Sequence, residues 1–215
     1  MLNRLLSLAL FLVIVTVGLA SAQPATISSG INWLMANQNA DKSWGGNATA
    51  SVTSFNATVE TLTTLRILGN TGTPYTDGIG WLNAQYAPTV DFTTGKLITH
   101  VNDGLAISTE LNQLLSWRNS EGFWGQDGDY LNAVNDTALT LLALKSANYA
   151  DTTVINGAIT YLINTQNADG GFGFSAGDSS NTYMTATVLN ALSQFKTTYD
   201  LQTPISKAVA YLLTQ

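Results

Sequence analysis

The chain has no cysteine, a single histidine (His100) and only four prolines. Without Cys there is no disulfide, no thiolate metal site and no thiol nucleophile. One His falls short of the ligand count of a zinc site, so no metal is expected. Charge is scarce as well: 8 Lys and Arg against 14 Asp and Glu give a net charge of −6. No basic run exists, which argues against a nucleic-acid groove. Asn, Thr, Ser and Gln carry the polar surface instead.

Residues 1–22 read as a secretory signal peptide. Arg4 is their one charge, residues 5–19 are almost unbrokenly apolar, and Ala20-Ser21-Ala22 fits a small-x-small cleavage site. The run is shorter than the ~20 apolar residues of a usual membrane span, so cleavage is preferred to an uncleaved anchor. The expected product, residues 23–215, is long enough for one domain. It is expected outside the cytoplasm, secreted or at the cell surface of a prokaryote, with no membrane span after cleavage.

A short block recurs along this chain. Residues 38–45 read Q-N-A-D-K-S-W-G, residues 118–125 read R-N-S-E-G-F-W-G, and residues 166–173 read Q-N-A-D-G-G-F-G. Apolar positions at helical spacing flank the blocks. They predict helices over residues 26–37, 55–68, 131–145, 154–165, 183–195 and 205–213. Residues 78–85 read as a further helix end, Phe92 as the ring of a degenerate block, and residues 93–117 as two short helices broken at Gly95 and Gly104. The period is that of a helix-pair repeat. The final Tyr211-Leu212-Leu213-Thr214-Gln215 matches the residues that precede a block, so the natural protein is expected to continue into further repeats.

The block has a physical reading of its own. A Gln amide can bond backbone groups freed where one helix ends. Glycine permits a turn at positive φ. The ring then fills the gap between neighbouring helix pairs. Gln38, Trp44, Arg118, Trp124, Gln166 and Phe172 are therefore expected to be structural.

Aromatic-Leu-x-x-x-Gln followed by a Gly or Lys turn and an aromatic resembles the QW motif of squalene and terpene cyclases and of protein prenyltransferase β subunits. Trp33-Leu34, Gln38 and Trp44, and Tyr161-Leu162, Gln166 and Phe172, carry the resemblance best. It implies an all-α fold, an α/α toroid or an arc of about four helix hairpins. Outer helices would lead into each block and inner helices follow it. The resemblance says less about activity, because one fold hosts unrelated functions.

The family's chemistry finds few matching residues here. A cyclase needs a D-x-D-D proton donor, and the nearest string is Asp127-Gly128-Asp129-Tyr130, which reads better as a capped turn. The zinc of prenyltransferases needs Cys, and the comparable string offers Met184, a poor ligand. Glu60 and Asp136 read as matching inner-helix positions, either facing the toroid mouth as acid and base or favouring helix N-termini. Three N-x-T sequons begin at Asn47, Asn56 and Asn135.

Two functions follow. One is a non-catalytic extracellular toroid, part of a larger protein, that binds a small ligand or a cell-surface protein. No cofactor is expected from the residues; a cobalamin-type ligand enters only through the resemblance to cobalamin carriers, which pair such a toroid with a second domain. The alternative is an isoprenoid-cyclase-like or polysaccharide-active enzyme, its cavity assembled from Glu60, Asp127, Asp129, Asp136 and Asp178.

Overall fold

The computed structural model describes residues 25–46, 51–125 and 133–215. The leader and the Asp127/Asp129 string lie outside them. All regular structure among the described residues is helical, as the periodicity requires. The chain divides after Asn37 into two units. The first contains α1, Ala25–Ala36, within a residue of the expected span.

The second unit contains α2 (Ser51–Ile67), α3 (Thr73–Ala84), α4 (Val90–Asn102), α5 (Ser108–Ser116), α6 (Ala133–Ser146), α7 (Thr152–Asn164), α8 (Thr182–Ser193) and α9 (Gln202–Leu212). Helices α2, α4, α6 and α8 form a row, each packed on the next, and each also carries the helix that follows it in sequence. The pairs are thus α2/α3, α4/α5, α6/α7 and α8/α9.

Composition separates the two layers. Helix α6 lies between α4 and α8 and under α7, and it buries side chains around most of its circumference: Val134, Thr137, Ala138, Thr140, Leu141 and Leu144 are all inaccessible. A helix enclosed in this way has little amphipathic asymmetry. Its partner α7 buries only the stripe Val154, Ile155, Ala158, Ile159 and Leu162. Threonine suits the row helices despite its modest helix propensity, because its hydroxyl is useful inside a tight helix packing.

Three of the four links from row helix to partner, all but α8–α9, follow one design. Gly69, Gly104 and Asn148 have φ of 72°, 67° and 52°. Behind them Asn70 N donates to Leu65 O at 2.8 Å, Leu105 N to His100 O at 2.9 Å and Tyr149 N to Leu144 O at 2.9 Å. This is the wide hydrogen bond of a Schellman termination. Asp151 caps α7 by accepting from Thr153 N at 2.8 Å, and Asn181 caps α8 by accepting from Met184 N at 2.8 Å.

Residues 93–117 do hold two short helices, but their punctuation differs from the expectation. Gly104 ends α4, whereas Gly95 lies inside it, where a Cβ would come 3.1 Å from Val59 Cγ1. Gly95 lets α4 approach α2 closely and breaks nothing. Phe92 is likewise no block residue: it is buried in the first turn of α4 and stacks on Phe55, ring centroids 4.4 Å apart. The α3–α4 link is closed by Thr89, whose Oγ1 accepts from Phe92 N, and by Lys96, whose ammonium donates to Asn83 O at 3.1 Å and Gln85 O at 2.7 Å. Charge and proline replace glycine and ring here, so the block pattern could not mark the link.

One corner carries a local conflict. Lys42 has φ of 78°, at the position where the other two corners place Gly122 (96°) and Gly170 (89°). A side chain there costs roughly 1–2 kcal/mol. The Lys42–Asp77 ion pair, 3.0 Å long and half exposed, offsets a small part of that. Lys42→Gly is expected to stabilise the protein by about 0.5–1 kcal/mol in chemical denaturation. A loss of stability would mean that the ion pair outweighs the backbone conformation.

Candidate functional site

The three corners share their backbone bonding. Asn39 N donates to Ser43 O, Asn119 N to Phe123 O and Asn167 N to Gly171 O, at 2.9–3.0 Å. Each corner closes further with Lys42 N to Asn39 O, Gly122 N to Asn119 O and Gly170 N to Asn167 O. The Gln38 amide donates to Lys42 O at 2.9 Å and, 36 residues on, to Pro74 O at 2.7 Å. The Gln166 amide does the same to Gly170 O and to Pro204 O, 38 residues on, both at 2.9 Å. Each Gln thus ties its own corner to the first turn of α3 or α9.

The rings are held from the row side. Trp44 N donates to Thr58 Oγ1 at 2.8 Å, Trp124 N to Thr137 Oγ1 at 3.0 Å and Phe172 N to Thr185 Oγ1 at 3.0 Å. Thr137 Oγ1 returns a bond to Trp124 O at 3.0 Å. In the α3–α4 link Thr93 Oγ1 donates to Ala87 O at 3.1 Å, the same function without a ring. All four threonines are inaccessible to solvent. Sequence reasoning missed them, although their spacing of 13 or 14 residues from each ring was available to find them. Two are also the Thr of an N-x-T sequon, which gives those strings a reason in the fold. Trp124 and Phe172 are fully buried, and Trp44 is 3% exposed. Trp124 Nε1 additionally donates to Leu114 O at 2.6 Å.

The corner acids serve the same turns. Asp41 Oδ1 accepts from Ser43 Oγ and N, and the Ser43 hydroxyl holds its carboxyl below the usual range. Asp169 Oδ1 accepts from Gly171 N and Ser180 Oγ. Asp178 Oδ2 accepts from Ser175 N at 2.9 Å.

The remaining candidates separate. Glu60 is exposed, while Asp136 is 8% exposed. The threonine alignment explains the difference: Asp136 immediately precedes Thr137, whereas Glu60 follows Thr58 by two, so they do not occupy matching positions. The residue found with Asp136 is Asp91, in the first turn of α4. Burial raises the Asp136 carboxyl to about 6; the Asn135 side chain opposes the rise, and the charge of Asp91 adds to it. Asp91 is in turn approached by Asn56 Nδ2 at 3.5 Å and Thr89 Oγ1 at 3.3 Å. A buried carboxyl raised toward 6, with a second acidic residue acting on it, is a pattern from which acid and base roles can be divided.

This pair makes stability pH dependent. The folded-state pKa of Asp136 lies above its ordinary 3.8, so between about pH 4 and 6 the native state binds more protons than the unfolded chain. Stability therefore falls as pH rises through that window and stays reduced above it. Asp136→Asn is expected to raise stability at pH 8, on the order of 2 kcal/mol, and to change it little at pH 4. Thermal melts of both proteins at the two pH values check this; equal shifts would show that the charge is not responsible.

A second polar cluster surrounds His100. Lys96, His100 and Glu110 are all buried, with Lys96 Nζ 3.4 Å and His100 Nδ1 3.7 Å from the Glu110 carboxylate. Burial holds His100 below its ordinary pKa, so it is neutral at pH 7. Asp103 instead binds Arg66 Nη1 and Tyr75 Oη, and burial with that carboxylate pushes the Tyr75 phenol up to about 12. These groups link α2, α3, α4 and α5. Among the described residues no group of three or more His, Asp and Glu side chains could hold a metal ion. Nor is any described helix long and apolar enough to cross a membrane.

No protein-family model matches this sequence. No curated protein matches it either. The fold does recur among solved structures. A crystal structure of a protein from Actinoplanes is similar with a TM-score of 0.64 over 87% of this chain at 18% identity. The present chain spans 64% of that protein's length. At this identity the likeness speaks for the fold alone.

Proposed function

We propose that residues 38–215 are an arc of an α/α toroid related to the prenyltransferase and squalene-cyclase repeats, exported behind a cleaved leader. In this reading they act as a ligand-binding or scaffolding module of a larger protein. The observation that carries it is the commitment of the motif side chains. The Gln38 and Gln166 amides each bond two backbone carbonyls, and the ring residues are tied through their backbones to buried threonines. Residues so engaged hold helix pairs together and leave loops and helix ends to vary for recognition. A cobalamin-type ligand would require the second domain that cobalamin carriers possess.

Export is tested by expressing the full chain in a Gram-positive host and sequencing the N-terminus of the product. Recovery outside the cells with Gln23 first supports the proposal. Retention of the intact chain in the cytoplasm rejects its extracytoplasmic part.

A second reading has one observation in its favour, the buried Asp136, whose carboxyl is raised to about 6 by burial and further by the charge of Asp91. In an enzyme acting on polysaccharides or isoprenoids, Asp136 would deliver the proton and Asp91 stabilise positive charge. Turnover of such a substrate that is lost in both Asp136→Asn and Asp91→Asn would replace the binding-module reading by this one.

A further inference from the structure

A cleft of about 620 Å³ opens between the α3–α4 link and the end of α5. That volume is within the range of small-molecule sites. Tyr86, Thr89, Ser116, Trp117, Arg118 and Asn119 line most of it. Tyr86 is 75% exposed, and neither it nor Trp117 stacks on another ring among the described residues. Tyr86 thus presents a ring to the cleft with no stacking partner, while Trp117 is half-buried, packed in part against the hydrophobic core.

The corner lining this cleft also differs from the other two. In them the Asn side-chain amide is fully engaged: Asn39 Nδ2 donates to Ser43 Oγ and Gly45 O, and Asn167 Nδ2 to Asp178 O and Ser180 Oγ. Asn119 holds its turn through Oδ1 alone, accepting from Glu121 N at 3.0 Å and Phe123 N at 3.1 Å. Its Nδ2 donors have no partner among the described residues. Arg118 replaces the Gln of the other corners, and its Nε is buried without a hydrogen bond. The guanidinium rests against Gly122 and Gly157, where a Cβ would come 2.9 or 2.7 Å from Nη2. The Asn119 amide hydrogens, which the other two corners engage internally, thus lie at the same cleft as the exposed Tyr86 ring.

We infer that this cleft binds a saccharide. A pyranose ring presents an apolar C–H face to an aromatic side chain and hydroxyl oxygens at its edge. Tyr86 and Trp117 supply the stacking faces. The Asn119 amide supplies donors, and the Ser116 and Thr89 hydroxyls supply further polar contacts. The site deepens the proposed binding role and rests on it.

The test is isothermal titration of the full-length protein with hexasaccharides of β-1,4-glucan, β-1,4-mannan and α-1,4-galacturonan, for wild type, Tyr86→Phe and Tyr86→Ala. Tyr86 is mostly exposed, so both variants should fold, and equal melting temperatures verify this. The expected result is binding of at least one hexasaccharide, kept within about twofold by Tyr86→Phe and weakened at least tenfold by Tyr86→Ala. Wild type that binds none of the three at millimolar concentration overturns the saccharide inference, as does binding that Tyr86→Ala leaves unchanged. Neither failure removes the wider proposal, whose export test is independent of any sugar.

Discussion

Gly170→Ala is expected to destabilise the protein by roughly 3 kcal/mol or more, lowering the melting temperature by about 6–12 °C. Two costs combine. Gly170 has φ of 89°, a region that costs an alanine about 1–2 kcal/mol. Its Cβ would also lie 2.5 Å from Lys207 O, a backbone atom of α9 that cannot move without shifting the helix. Gly177→Ala separates the two costs, because φ there is 86° and no atom lies within 4 Å of the added carbon. It should cost only the backbone part, about 1 kcal/mol. If the two alanine variants lose equal stability, the close approach of corner and helix is not what holds α9 in place.

Thr137→Val should cost a similar amount, roughly 2–4 kcal/mol. The substitution keeps shape and removes a hydroxyl that accepts from Trp124 N and donates to Trp124 O, both at 3.0 Å and both buried. An unsatisfied buried donor or acceptor costs about 1–3 kcal/mol. Thr137→Ser keeps the oxygen and should recover most of the loss. The reading is equilibrium unfolding together with near-ultraviolet circular dichroism, since the Trp124 ring is fully buried and its signal reports the corner. Full stability in Thr137→Val would remove the threonine tie from the account of how the row is fastened.

The helices were legible because burial on one stripe leaves a 3.6-residue trace, as in α7 with Val154, Ala158, Ile159 and Leu162. Corners were legible because a positive φ demands glycine at Gly122 and Gly170, and a buried ring must be large and apolar. The α3–α4 link was not, because Lys96 and Thr89 close it with polar bonds to backbone, and such bonds leave no fixed residue pattern. The candidate site was half legible. Asp136 could be selected as a carboxylate near a helix start, but its partner Asp91 is brought to it by packing between α4 and α6. Glu60 does not pair with Asp136 in the way its place in the sequence suggests: counted from Thr58 and Thr137 the two are offset by three residues, and Glu60 is exposed where Asp136 is buried. The sequence shows Arg118 where the other corners have Gln, but that the Asn119 amide hydrogens lack an acceptor among the described residues is visible only in the structure.

The ties between corner rings and threonines span 13 or 14 residues, and those from glutamine to the next outer helix span 36 or 38. No fastening of either kind waits for the far end of the polypeptide. Loop closure over such spans is cheap in entropy, and structures dominated by near-neighbour contacts assemble quickly. A chain emerging during synthesis can therefore fasten each hairpin once the following one is available, which limits the unpaired apolar surface exposed to aggregation.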